Sequence, residues 1–129
     1  MVHSLSIDFL IRLKNASLAG RQTLAAPHSR LVENIAAILQ KHNYITGFSV
    51  SASSPKTINV ELSASDSQSK INHVTIFSKP SRRLYQKSSS IPWGKTPASL
   101  IIISTSKGLM SHKEAKKTGL GGELIAEIY

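Results

Sequence analysis

Two fragments of this sequence have the residue types and spacing of a serine hydrolase. Ser104-Thr105-Ser106-Lys107 satisfies S-x-x-K, and Lys117-Thr118-Gly119 satisfies K-T-G. Together these are two elements of the serine β-lactamase and penicillin-binding set, in which a lysine helps a serine hydroxyl attack an acyl carbon. The third element, S-D-N, is absent, and 129 residues are too few for that fold. The S-x-x-K serine also follows a strand-like run instead of opening a buried helix, so the match is one of chance. Gly119-Leu120-Gly121-Gly122 is not G-x-G-x-x-G and leads from helix to strand, the reverse of a dinucleotide fingerprint. No Walker A pattern occurs. The five histidines, His3, His28, His42, His73 and His112, lack metal-ligand spacing. The seven carboxylates are too dispersed for an acid/base pair, and zero cysteines exclude thiolate chemistry, Cys-ligated zinc and iron–sulfur clusters. The expectation is a protein that is not an enzyme and uses neither cofactor nor metal.

What remains is a surface for a polyanion. Sixteen Lys+Arg against seven Asp+Glu leave a net charge of +9, with aromatics at only 5%. The excess is uneven: Lys70 to Lys117 holds ten basic residues and one acid, Glu114, whereas six basic residues and four acids precede it. A charge so placed points to nucleic acid and assigns the anion-binding face to the second half. Within it, Ser104, Thr105, Ser106 and Lys107 precede Gly108, after an apolar run. Hydroxyls there can bond phosphate oxygens, ribose 2′-OH groups or base edges, and Gly108 permits close backbone approach. Gly121-Gly122 offers a second such approach, and Ser78 to Tyr85 adds Lys79, Arg82, Arg83 and an aromatic ring that can stack. The plainer reading has Ser104 to Ser106 capping a turn, Tyr85 in the core, and Lys113, Lys116 and Lys117 on the wet side of a helix.

The elements that must position these residues follow from periodicity. Leu5, Phe9, Leu13 and Ala16 share one face of a helix over residues 5–18, which Gly20 closes. A short strand over residues 22–26 stops at Pro27, and Ser29 caps a second helix with the stripe Leu31, Ile35, Ile38, Leu39, ending near Asn43. Residues 44–50 and 57–62 read as paired strands joined by a turn over 51–55. The serine-rich stretch 63–69 reads as a surface connection. It divides an N-terminal α/β domain (1–66; helix, strand, helix, strand, strand) from a mostly β C-terminal domain (67–129) packed against it, an α+β fold. In the second domain, strands are expected over 74–77, 83–85 and 100–103, the last buried on both faces. Polar loops lie between them. Ser111-His112-Lys113-Glu114 fits a capping box opening one short helix, and residues 123–129 alternate as a closing strand. No apolar run approaches the ~18 residues that span a bilayer, and no secretory signal or Arg-rich presequence is visible, so a cytoplasmic location is expected.

These residues are also familiar as a set. Ser104-Thr105-Ser106-Lys107-Gly108-Leu109-Met110, then Glu114-Ala115, then Gly119-Leu120-Gly121-Gly122-Glu123-Leu124 closely resembles the C-terminal signature of the small-subunit ribosomal protein S-eight family. Ser78-Lys79-Pro80 with Arg83 and Tyr85 resembles the family's Ser-Lys/Arg-Pro-Gly-x-Arg-x-Tyr segment, Asp8-Phe9-Leu10 through Arg12, Lys14, Asn15 and Ala16 resembles its first helix, and Pro27 to Leu31 the start of its second. The resemblance implies a structural protein that binds the central domain of small-subunit rRNA directly, at an irregular helix, and helps assemble the platform region. Carried over by position, Ser104, Thr105 and Ser106 would touch the irregular helix. Tyr85, Lys107, Gly121, Gly122 and Glu123 would form the surrounding surface, with Lys79 and Arg83 beside it. Arg12, Lys14, Asn15, Ser29 and Arg30 would make a secondary contact. It further implies neighbours of the S-five and S-twelve families, no membrane and no small-molecule substrate, and a role as repressor of its own operon. The signature's form is bacterial, and an organellar ribosome stays open. Departures are Ser81 where the family commonly has glycine, and Ala126 and Glu127 where it has cysteine and a bulky residue. Rival functions are a hydrolase using Ser104 and Lys107, a DNA-binding regulator, and a basic RNA-binding regulator outside the ribosome.

Overall fold

A computed structural model of the chain describes residues 2–53, 56–62, 71–79, 81–95 and 98–129, with backbone alone for 2–4. The expected turn over 51–55 therefore lies partly, and the serine-rich connection wholly, outside the described residues. The chain is α+β and forms two compact units, Met1–Asn72 and His73–Tyr129.

In the first unit, α1 (Val2–Leu18) buries Ser6, Phe9, Leu10, Leu13 and Ala16, a stripe of helical period. Leu5, expected on that face, is turned outward instead, because the buried row is centred between Phe9 and Leu10. The helix ends where Gly20 adopts φ +72° and the Arg21 N–H reaches back to the Ala16 carbonyl at 3.0 Å, a Schellman closure that needs the left-handed conformation. α2 (Arg30–Lys41) buries Val32, Ile35, Ala36, Ile38 and Leu39, and Asn43 at φ 64° turns the chain out of it. Between and after the helices, β1 (Thr23–Pro27), β2 (Gly47–Val50) and β3 (Thr57–Glu61) form an antiparallel sheet in the order β1-β3-β2. Pro27 fits because β1 is an edge strand, where a missing N–H breaks no interior ladder. β3 is central and alternates, burying Ile58 and Val60 while Asn59 and Glu61 face water.

The second unit is an antiparallel sheet, β4 (Val74–Ile76), β8 (Gly122–Ile128), β6 (Leu100–Thr105) and β7 (Gly108–Ser111), with β5 (Tyr85–Gln86) also pairing β8. This unit departs from the sequence pattern at three places. The closing strand does not alternate: Glu123 to Ile128 are all buried, because β8 has partners on both edges and both faces covered. The strand expected at 83–85 is shifted to Tyr85–Gln86, since Leu84 spends its N–H on the Ser78 side chain. Residues 108–111 form a strand absent from the sequence reading, so the hydroxyl segment is part of a hairpin and not a free loop.

One short helix, α3 (His112–Thr118), crosses this unit; the Ser111 hydroxyl caps it by accepting from the Glu114 N–H at 3.2 Å. Its Ala115 joins Ile91, Ile101, Ile103 and Leu124 in one buried core. No helix among the described residues is long and apolar enough to cross a membrane.

Candidate nucleic-acid interface

Strand pairing, and not chain proximity, assembles the C-terminal candidate residues. Ser104 on β6 is opposite Glu123 on β8, and Tyr85 on β5 is opposite Glu123 from the other edge. Directly opposed side chains lie on one face of a sheet, so Tyr85, Glu123 and Ser104 form a row across three strands. β6 then turns into β7 through Ser106 and Lys107 alone, with Thr105 facing Gly108. Both turn residues are exposed, and Gly108 takes φ 104°. Thr105 is spent on this turn: its Oγ1 donates to the Gly108 carbonyl at 2.8 Å and accepts from the Lys107 N–H at 3.1 Å. Ser104 and Thr105 thus belong to the strand, one half-buried step below the tip.

A cleft of about 880 Å³ opens beside the row, lined by Tyr85, Gln86, Lys87, Ser88, Ser90, Gly119, Gly121 and Gly122. Tyr85 stands 61% exposed at its wall, so it is not core. Gly121 and Gly122 are glycines for a reason internal to the fold. A Cβ on Gly122 would sit 2.1 Å from the Ser104 carbonyl oxygen, and one on Gly121 would sit 2.6 Å from the Gln86 carbonyl oxygen. The backbone they admit is the protein's own. Glu123, expected on the surrounding surface, is only 7% exposed, covered because β8 is the central strand.

The segment before Tyr85 divides between scaffold and surface. Ser78 is buried; its Oγ donates to the Leu124 carbonyl at 2.6 Å and accepts from the Leu84 N–H at 2.9 Å. It bridges the gap between β4 and β5 along the edge of β8. Lys79 and Arg82 exchange backbone hydrogen bonds at 2.8 and 3.0 Å, a tight turn that leaves Lys79, Arg82 and Arg83 exposed. Cations therefore stand at both ends of the Tyr85 row, with Lys87 along the cleft and Lys107 at the hairpin tip. Sequence reading missed Lys87, Ser88 and Ser90; only the regional charge count pointed to Lys87.

The N-terminal candidates are less united. Arg12 and Asn15 share one face of α1 and line a pocket of about 430 Å³ with Arg21 and Leu24. Arg12 is also paired to Asp8 at 2.9 Å, one turn away. Lys14, two residues along the helix, points to another side. The Ser29 hydroxyl accepts from the Val32 N–H at 3.1 Å as the cap of α2, with Arg30 exposed beside it. Among the described residues no group of His, Asp and Glu could hold a metal ion.

Comparison with known proteins agrees with the sequence signature. The family described as Ribosomal protein S8 matches residues 5–129. A small ribosomal subunit protein uS8 of Campylobacter hominis is 38% identical over 131 residues, all of both chains. Proteins of the same name from Erythrobacter litoralis and Mesomycoplasma hyopneumoniae are 35% and 38% identical, each over 95% of this chain and 94% and 93% of theirs.

Proposed function

The chain belongs to the ribosomal protein S8 family, and from that premise we propose that it is a non-catalytic constituent of the small ribosomal subunit whose C-terminal unit binds the central domain of small-subunit rRNA. The observation that supports this reading best is the Tyr85–Glu123–Ser104 row, ending in the exposed Ser106-Lys107 tip and flanked by the Lys79-to-Arg83 turn. A ring, hydroxyls and cations on one rigid sheet suit a folded RNA stem with splayed bases, because regular A-form helices hide their base edges in a deep groove. Cations raise affinity for any phosphate backbone, and the hydroxyls and the ring discriminate. Arg12, Asn15 and Arg30 supply a weaker second contact in this reading. Neighbours of the S-five and S-twelve families, a cytoplasmic ribosome and platform assembly belong to the same proposal and rest on family membership. So does repression of its own operon, in which an mRNA with the same shape would occupy the same row.

Filter binding of the full chain to a central-domain rRNA fragment, competed with regular duplex RNA and duplex DNA, tests it. Preference for the irregular stem is the expected result. Equal or better binding to duplex DNA would make the protein a DNA-binding regulator. Tight binding to RNAs unrelated to rRNA, with no incorporation into small subunits, would make it a regulator outside the ribosome.

A further inference from the structure

Away from the row, the loop after the short 3-10 turn carries the chain's sole tryptophan, and Trp93 is 67% exposed, more than any other large apolar side chain described. So large a ring is usually withdrawn from water, and this one is held out of the core by built structure. Ile91, two residues before, is buried in the core. Gly94, directly after, packs so closely on Ser99 that a Cβ would lie 2.2 Å from the serine's own. The Lys116 ammonium lies 3.5 Å from the ring's centroid, and His112 stands roughly perpendicular to it with the ring centroids 6.1 Å apart. His112 is buried and fixed, its Nδ1 accepting from the Ile101 N–H at 3.2 Å. Lys113 and Lys117 are exposed on the same helix. An exposed aromatic plane, pre-positioned and set among cations, is what a single-stranded nucleotide uses: the base stacks, and the adjoining phosphates find the lysines.

We propose that Trp93, steadied by Lys116, is a stacking platform for an unpaired nucleobase, separate from the Tyr85–Ser104 row. This extends the RNA-binding reading above and rests on it for the identity of the ligand.

Because Trp93 is the only tryptophan, its fluorescence reports directly on the site. The full chain is titrated with single-stranded oligouridylate and oligoadenylate, and with the irregular rRNA stem with and without an unpaired extension. Saturable quenching by the single strands is expected. Trp93→Ala should weaken the extended RNA on the order of tenfold, the trimmed stem hardly at all, and Trp93→Phe should recover part of the loss. Unchanged fluorescence at saturation with extended RNA, or a Trp93→Ala variant that binds it like the parent, overturns the proposal and leaves the row's reading intact. Quenching by single strands without binding of the rRNA stem would instead retain the platform and sink the function proposed for the row.

Discussion

Ser104 and Glu123 are paired across β6 and β8, so a hydroxyl that the sequence offers as an RNA reader stands beside a carboxylate withdrawn from water. Opposed side chains in an antiparallel sheet lie ~5 Å apart at Cβ. Across the row exposure falls from Tyr85, 61% exposed, through half-buried Ser104 to Glu123 at 7%.

The pairing separates the roles of adjacent hydroxyls. Ser104→Ala should cost about 1 kcal/mol in RNA discrimination, the net worth of one hydrogen bond, while stability moves by less than about 0.5 kcal/mol. Thr105→Ala should lower both, because its hydroxyl ties the hairpin turn twice. Thermal unfolding and filter binding run side by side decide it. If Ser104→Ala discriminates as well as the parent, the row is not the reader.

Gly122 makes a prediction of the opposite kind. Its Cα faces the Ser104 backbone so closely that any Cβ must force β6 and β8 apart. Gly122→Ala should therefore destabilise the protein by about 2–3 kcal/mol, read as a fall in unfolding midpoint, before any RNA is added. A variant that folds normally but loses RNA would return the glycine to a role in ligand approach.

The difference between Gly122 and Ser111 shows what a sequence can disclose. Capping at Ser29 and Ser111 was legible because donor and acceptor lie three residues apart, and local chemistry suffices. The helices, the β2–β3 pair and the buried run at Leu100 were legible from period and side-chain type. Glycine at 121 and 122 signals close approach, but not to what: the neighbours are backbone atoms of residues 86 and 104, fixed only once the strands pair. The resemblance puts Glu123 on the binding surface, and its burial follows from the central place of β8, which one residue's type does not disclose. β7 was invisible because Ser106-Lys107 carries no Asn-Gly signal and the strand is only four residues long. Trp93 could have been noticed as a lone aromatic in a polar, basic loop, but nothing local reveals that its ring is exposed.

Ser78 tests whether scaffold and surface are separable within one motif. Its hydroxyl joins the Leu124 carbonyl to the Leu84 N–H in a buried gap, so Ser78→Ala should leave both short of a partner and cost about 2 kcal/mol of stability. RNA affinity at temperatures well below unfolding should fall less than in an Arg83→Ala variant, whose side chain is exposed next to Tyr85. Equal stability of Ser78→Ala and the parent would show that the bridge carries no net free energy.

Ser29 settles whether the first unit's serine meets RNA or only its own helix. As the cap of α2 it supplies an acceptor to the Val32 N–H, and Ser29→Ala should lower stability by about 1 kcal/mol. Aspartate caps as well as serine does, and its charge suits the helix N-terminus. Ser29→Asp should therefore keep the unfolding temperature of the parent. The same substitution adds a negative charge where an RNA phosphate would lie, next to exposed Arg30. If the position touches RNA, Ser29→Asp binds the rRNA fragment more weakly than Ser29→Ala, and the gap narrows as salt screens the repulsion. If it only caps, Ser29→Asp binds like the parent at every salt concentration, and the secondary contact belongs to Arg12, Asn15 and Arg30 without it.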